Sequence, residues 1–302
     1  MADKNFPSLS LTGFATLLFI ALLMGANHVA ARLAFAYGVD VTTAIAVRSS
    51  VTALVVGLIL WRAQVPLHLS AKHPRALLAI GFLIAVQSYC LYSAVARLPV
   101  ALALLGFNTY PLWITFWARV LYKHQAERAV LRAMPVMLIG LALALDVLGA
   151  ASGLGAQAQW SVMGEGVLFA LAAAATFGIA MVFTQHEAGD LDGRIRTLST
   201  MGSVAVLAWL VIVAQTGLHL PNAPQGWWGL GLLSFLYGTG FTLMFTVLPR
   251  LGVVGNSAIM NVEPVCALVL AWIFLDQAIA PIQVVGALVV VSTVMYLGLR
   301  NK

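Results

Sequence analysis

The sequence predicts an all-α integral membrane protein of ten transmembrane helices, built as two inverted five-helix repeats. Three observations lead there: a near-absence of charge, ten long apolar runs, and a stretch of the first half that recurs in the second. Of the 302 residues, 62% are hydrophobic and 9% charged, with a mean hydropathy of +0.97. A soluble domain carries about 25% charged residues, because its surface faces water. A lipid-facing surface needs none. The formal net charge of +6 does not indicate nucleic acid, because the basic residues sit in loops between apolar runs, as membrane topology requires.

A hydrocarbon core about 30 Å thick needs about 20 helical residues at about 1.5 Å each. Runs of that size fall at 11–36, 41–61, 76–96, 99–121, 131–148, 162–184, 197–216, 227–248, 253–274 and 281–299. They are continuous rather than alternating, which favours helices over barrel strands. The first run is uncharged from Leu9 to Ala31, longer than the about 7–15 residues of a signal-peptide core, and reads as a retained helix. With a cytoplasmic N-terminus, all sixteen Lys and Arg fall inside except Arg32, Arg48 and Arg97. The outer connections 149–161 and 216–226 contain neither residue type. This asymmetry places both termini in the cytoplasm. Cys90 and Cys266 lie inside apolar runs and offer no disulfide framework or metal spacing, so they read as packing residues.

The internal repeat pairs Arg97 with Arg250, Leu98 with Leu251, Val100 with Val253, Asn108 with Asn261 and Pro111 with Pro264, all at one offset. Gly140 answers Gly286 after a short length difference. The repeats divide the chain at 1–150 and 151–302, and an odd number of helices in each forces opposite orientations. Inverted repeats are a construction of secondary transporters, whose substrate site lies near the midplane between the halves.

Particular motifs then resemble a family. Gly25, Asn27 and Arg32 in the first helix, Arg48 in the second, Glu263 and Pro264 in the ninth, and Asp276 just beyond it are similar to the drug/metabolite transporter superfamily, in its ten-helix EamA-type branch. Met24 replaces an aromatic residue of that pattern, and Lys123 stands where the first repeat ordinarily has an acid. Within the branch the chain looks most like bacterial aromatic amino-acid exporters. The resemblance implies a small-molecule substrate such as an amino acid, a lipid-bilayer environment in the bacterial inner membrane, no cofactor, and a single chain holding both halves of the pathway.

Several residues are candidates for transport. Glu263 lies midway along its span, where an ionised group costs about 2.5–3.5 kcal/mol. It is either a proton or substrate site, or a kink residue serving backbone freed by Pro264. Pro111 and Pro264 should bend or break their helices near Tyr110 and Glu263. The candidate substrate cavity comprises Asn27, His28, Gln87, Ser88, Tyr89, Tyr92, Asn108, Tyr110, Thr176, Tyr237, Phe241, Asn256, Asn261 and Glu263, because amides, hydroxyls and charges at mid-depth should turn away from lipid. The stripes Tyr237–Phe241–Phe245 and Tyr110–Trp113–Trp117 either stack a substrate or face lipid, and Trp227 and Trp228 read as an interfacial belt. Ala170, Ala174 and Gly178 read as a close helix contact. Arg32 and Arg48 sit near Asp40 and are expected to be structural charges that pair with it, with capture of a substrate carboxylate as the other reading.

The stretch 186–193, HEAGDLDG, lacks the second His of a zinc helix and the closing Glu of a calcium loop, and no phosphate-binding loop occurs. No catalytic, metal or cofactor constellation emerges. A proton-coupled exporter of cationic drugs, an intramembrane enzyme and a sensor are the competing functions.

Overall fold

A computed structural model describes residues 11–65, 69–70, 72–123, 128–144, 146, 153, 155–215, 217–251, 263–277 and 280–300. Within them the regular structure is helical: α1 (Leu11–Ala36), α2 (Val41–Arg62), α3 (His73–Arg97), α4 (Val100–Phe107), α5 (Tyr110–Tyr122), α6 (Arg128–Ala144), α7 (Ala156–Glu187), α8 (Gly193–Ala214), α9 (Pro224–Leu251), α10 (Glu263–Leu275) and α11 (Pro281–Arg300). Helices suit these segments because lipid offers backbone groups no hydrogen-bond partner, and a helix satisfies them internally. Six described stretches are long and apolar enough to cross a membrane: Ala15–Ala36, Val41–Arg62, His73–Arg97, Val100–Tyr122, Ala156–Glu187 and Gly193–Ala214.

The fourth run is two helices, α4 and α5, separated at Asn108–Thr109, beside Tyr110, where Pro111 is expected to break it. One boundary differs from those the sequence predicts. The sixth run begins at Ala156 rather than 162, so part of the expected outer connection is helical.

The repeat is visible as matched local geometry. Residues 97 and 250 are 153 apart, as are 111 and 264. At that same spacing α5 and α10 begin and end together, each 13 residues long. Both stop at a left-handed residue, Lys123 with φ 55° and Asp276 with φ 51°. What the two repeats share at this position is a helix-ending backbone conformation, not an acidic side chain. Helices α2 and α8, each 22 residues, start from Asp40 and Asp192, whose carboxylates accept from backbone N–H groups of their first turns.

Helix packing repeats too. Helix α1 packs on α9, and its counterpart α7 packs on α3. Helix α1 also packs on α10, and α7 on α5. Helices α2 and α8 pack on each other, as do α6 and α11, so each of these pairs straddles the pseudo-twofold axis. Glycines permit the closest approaches. A Cβ on Gly25 would lie 3.0 Å from the Ala267 nitrogen and 3.3 Å from the Cys266 Cβ. On Gly178, 153 residues later, it would lie 2.8 Å from the Trp113 Cβ and 3.0 Å from the Ile114 nitrogen. Trp113 and Ile114 are the counterparts of Cys266 and Ala267. Gly140 and Gly286 meet each other's helices across the α6–α11 contact.

The largest contacts therefore run between the halves, and the core is shared. One apolar cluster spans Leu98, Leu102, Leu105, Val167, Ala173, Ala267 and Val290. A second spans Leu17, Ile20, Ala34, Ile45, Met201, Val204 and Leu233.

Candidate functional site

Between the halves lies a buried polar cluster contributed by α1, α2, α3, α9 and α10. Its centre is Arg48. Asp40 fixes the start of α2, and eight residues at about 1.5 Å each carry Arg48 about 12 Å into the helix. There it is only 3% exposed. Its Nη2 donates to Ser88 Oγ at 2.8 Å. Its guanidinium lies 3.8 Å from the Tyr237 ring centroid and 4.6 Å from that of Tyr92. These are cation–π distances, and such contacts compensate part of the cost of burying a charge. Ser88 in turn donates to Gln87 Oε1 at 3.4 Å.

Beside Arg48, α1 supplies Asn27 and His28. The Tyr92 hydroxyl donates to Asn27 Oδ1 at 2.9 Å, and Asn27 Nδ2 donates to the Met24 carbonyl at 3.0 Å. The His28 ring stands edge-on to Tyr92, and its Nε2 lies 3.3 Å from Glu263 Oε1. Gly25 makes this possible by letting α1 touch the first turn of α10, where Glu263 begins the helix. Pro264 occupies that first turn, as Pro111 does in α5, where a missing N–H costs no helical hydrogen bond. The Glu263 side chain is 24% exposed, while His28 is buried.

At the α4–α5 break, Asn108 and Thr109 satisfy their own side chains on the end of α4, through the Leu104 and Gly106 carbonyls. Tyr110 then packs against Phe107 and Phe177, with ring centroids 5.5 and 5.2 Å away. Tyr237 and Phe241 pack at 4.5 Å on the other side of the cluster. The Tyr110–Trp113–Trp117 stripe turns to α7 rather than to lipid, with Trp117 Nε1 donating to the Ala175 carbonyl at 3.1 Å. Trp227 and Trp228 are exposed, as a belt requires.

Some predicted residues stand elsewhere. Tyr89 is 47% exposed and lies on the same outward stripe as Leu78 and Phe82, packed on Phe169, so it faces away from its neighbours Gln87 and Ser88. Thr176 returns its hydroxyl to the Ala172 carbonyl of its own helix. The expected pairing of Arg32 and Arg48 with Asp40 does not form. Asp40 caps α2 and lies 3.7 Å from His219 Nδ1, while Arg32 Nη1 donates to the carbonyls of Val95 and Ala96 at the end of α3. Asn256 and Asn261 lie outside the described residues.

The acidic stretch 186–193 has structural partners. Glu187 accepts from the Tyr122 hydroxyl at 2.8 Å, and Asp190 meets His73 and Lys72 at 3.1 and 3.4 Å. Asp192 caps α8 and holds Arg194, whose hydrogen bond keeps the Asp192 carboxyl below its ordinary range.

The sequence profile of the EamA-like transporter family matches twice, over residues 11–145 and again over 164–299. The chain belongs to the EamA-like transporter family. Its function is thus membrane transport of small molecules, in a lipid environment, by a multi-pass helical protein. No curated protein matches the chain significantly. A solved structure titled only as the crystal structure of a protein is similar in fold, with a TM-score of 0.63 at 19% identity. It covers 97% of this chain and 100% of its own length. In this EamA-like transporter the polar cluster lies between two halves whose helices interleave.

Proposed function

We propose that this protein is a secondary transporter that exports small metabolites, aromatic amino acids foremost, from the cytoplasm across a bacterial inner membrane. It works as a monomer with both termini cytoplasmic, its halves 1–150 and 151–302 rocking so that a central site opens to either side in turn. The supporting observation is the buried cluster itself. It brings together a cation, a carboxylate and aromatic rings, namely Arg48, Glu263, Tyr92, Tyr237 and Phe241, from both halves. A zwitterion with an aromatic side chain answers all three. Asn108 and Tyr110 belong to the same site in this reading, and the N-terminal ends of α5 and α10 add positive dipole toward it.

Sealed liposomes containing the purified chain, preloaded with unlabelled phenylalanine, test this directly. Labelled phenylalanine, tyrosine and tryptophan should accumulate by counterflow, and lysine should not. Absence of counterflow for all three rejects the assignment. The His28–Glu263 contact favours a second reading, proton-coupled export of organic cations, with Glu263 binding cation and proton alternately. Uptake of a monovalent organic cation driven by an imposed pH gradient, without amino-acid counterflow, would select it.

A further inference from the structure

Arg48 is a cation without an acid. It is buried at 3% exposure, and no ion pair reaches it among the described residues. Its Nη2 has Ser88 Oγ, but its Nε is buried with no hydrogen-bond partner among the described residues. Arginine does not give up its proton in proteins, so the charge is permanent. A buried, permanently charged and incompletely bonded guanidinium is destabilising unless something else completes its shell. The Tyr92 and Tyr237 rings lie 4.6 and 3.8 Å from it, and neither carries the full negative charge that would neutralise it. A guanidinium's N–H groups match a carboxylate through two parallel hydrogen bonds.

Its place in the symmetry sharpens the point. Helices α2 and α8 are counterparts that pack on each other, so Arg48 lies beside the pseudo-twofold axis. The corresponding stretch of α8, Thr200–Met201, carries no charge, and Met201 meets the same Tyr237 that covers Arg48, its sulfur accepting from the hydroxyl at 3.7 Å. The contact between these two helices thus carries a cation on the α2 side and none at the matching position of α8.

We infer that Arg48 is the recognition group for a carboxylate on the transported molecule, its unpaired Nε and fork edge receiving the two oxygens. The inference rests on the transport of amino-acid-like metabolites proposed above and names the group that selects them. An ammonium on the same molecule then faces Glu263, next to His28. The alternative role is structural, since Arg48 joins α2 to α3 through Ser88 and to α9 through Tyr237. A purely structural arginine affects stability but does not distinguish ligands with and without a carboxylate.

The test uses the full chain and three probes: phenylalanine, 3-phenylpropanoate (carboxylate without amine) and phenethylamine (amine without carboxylate). In wild-type liposomes 3-phenylpropanoate should inhibit phenylalanine counterflow. Arg48→Lys keeps the charge but loses the fork, and Arg48→Met loses both. Each should weaken phenylalanine and 3-phenylpropanoate, Arg48→Met by about 30-fold or more, with phenethylamine unchanged. Thermal unfolding in detergent provides a second readout that needs neither counterflow nor a stable Arg48→Met protein. There 3-phenylpropanoate should raise the wild-type midpoint, phenethylamine should raise it less, and Arg48→Lys should abolish the difference. If no aromatic amino acid shows counterflow while this carboxylate-dependent shift persists, the cargo assignment fails and the anchor stands. If 3-phenylpropanoate neither inhibits nor stabilises the wild type, or does so equally in Arg48→Lys, the anchor is overturned.

Discussion

Replacing Gly178 by alanine tests how closely the two halves are engaged. The new methyl carbon would lie 2.8 Å from the Trp113 Cβ, 2.9 Å from the Trp113 carbonyl carbon and 3.0 Å from the Ile114 nitrogen. Carbon atoms pack at about 3.5–4.0 Å, so α5 and α7 must separate by close to a further ångström. The opposing atoms are backbone or adjoin it, and cannot turn aside as a side-chain tip would. Overpacking of this kind costs about 1–3 kcal/mol, against a gain of at most about 1 kcal/mol from replacing glycine inside a helix. The clash wins, and Gly178→Ala should unfold a few degrees below wild type. At Gly25 the nearest approaches are looser, 3.0, 3.1 and 3.3 Å, so the two terms should nearly cancel for Gly25→Ala. Tryptophan fluorescence during thermal unfolding in detergent measures both. A Gly178→Ala protein as stable as wild type would refute the close α5–α7 approach and the ranking built on it.

Other outcomes follow from the same geometry. Glu263→Gln removes the carboxylate facing His28 at 3.3 Å and, if that carboxyl carries a coupling proton, should flatten the pH dependence of transport; an unchanged profile in liposomes rejects the proton role. Tyr237→Phe keeps the ring 3.8 Å from Arg48 and should transport normally, whereas Tyr237→Leu loses about 1–2 kcal/mol of stability, read from the unfolding midpoint. Lys123→Gly relieves a left-handed residue at the end of α5 and should stabilise by about 1 kcal/mol, while destabilisation would show that the lysine side chain matters more than its backbone. Asp192→Ala should cost about 1 kcal/mol at neutral pH through loss of the α8 cap. Because the folded state holds this carboxyl below its ordinary range, the cap's contribution is present above that range and disappears as pH falls through the depressed value. Unfolding midpoints of the two proteins should therefore converge in acid.

Much of the fold was legible in the sequence because bilayer thickness sets helix length and charge is excluded from lipid. The repeat, too, could be read from a few shared residues. The caps Asp40 and Asp192 were a missed signal, an aspartate just before each of two corresponding helices. Depth was readable where orientation around the helix was not. Arg48 lies more than two turns beyond Asp40, too far for their side chains to be taken as partners, and counting residues would have shown it. Tyr89 was misplaced because a helix rotates about 100° per residue, which separates it from Ser88 and aligns it with Phe82 and Leu78. The contact of His28 with Glu263 joins helices far apart in the chain, and no local pattern encodes it.

Interleaving has a consequence for how this chain is made. Helix α1 finds its chief partners in α9 and α10, and α6 finds its own in α11, so each half packs chiefly against the other. A ribosome delivers them in order. The early helices must wait in the lipid with Arg48 and its neighbours uncovered until the later ones emerge to enclose them. Cutting the gene between its halves should yield two fragments that are degraded when produced singly and rescued when produced together.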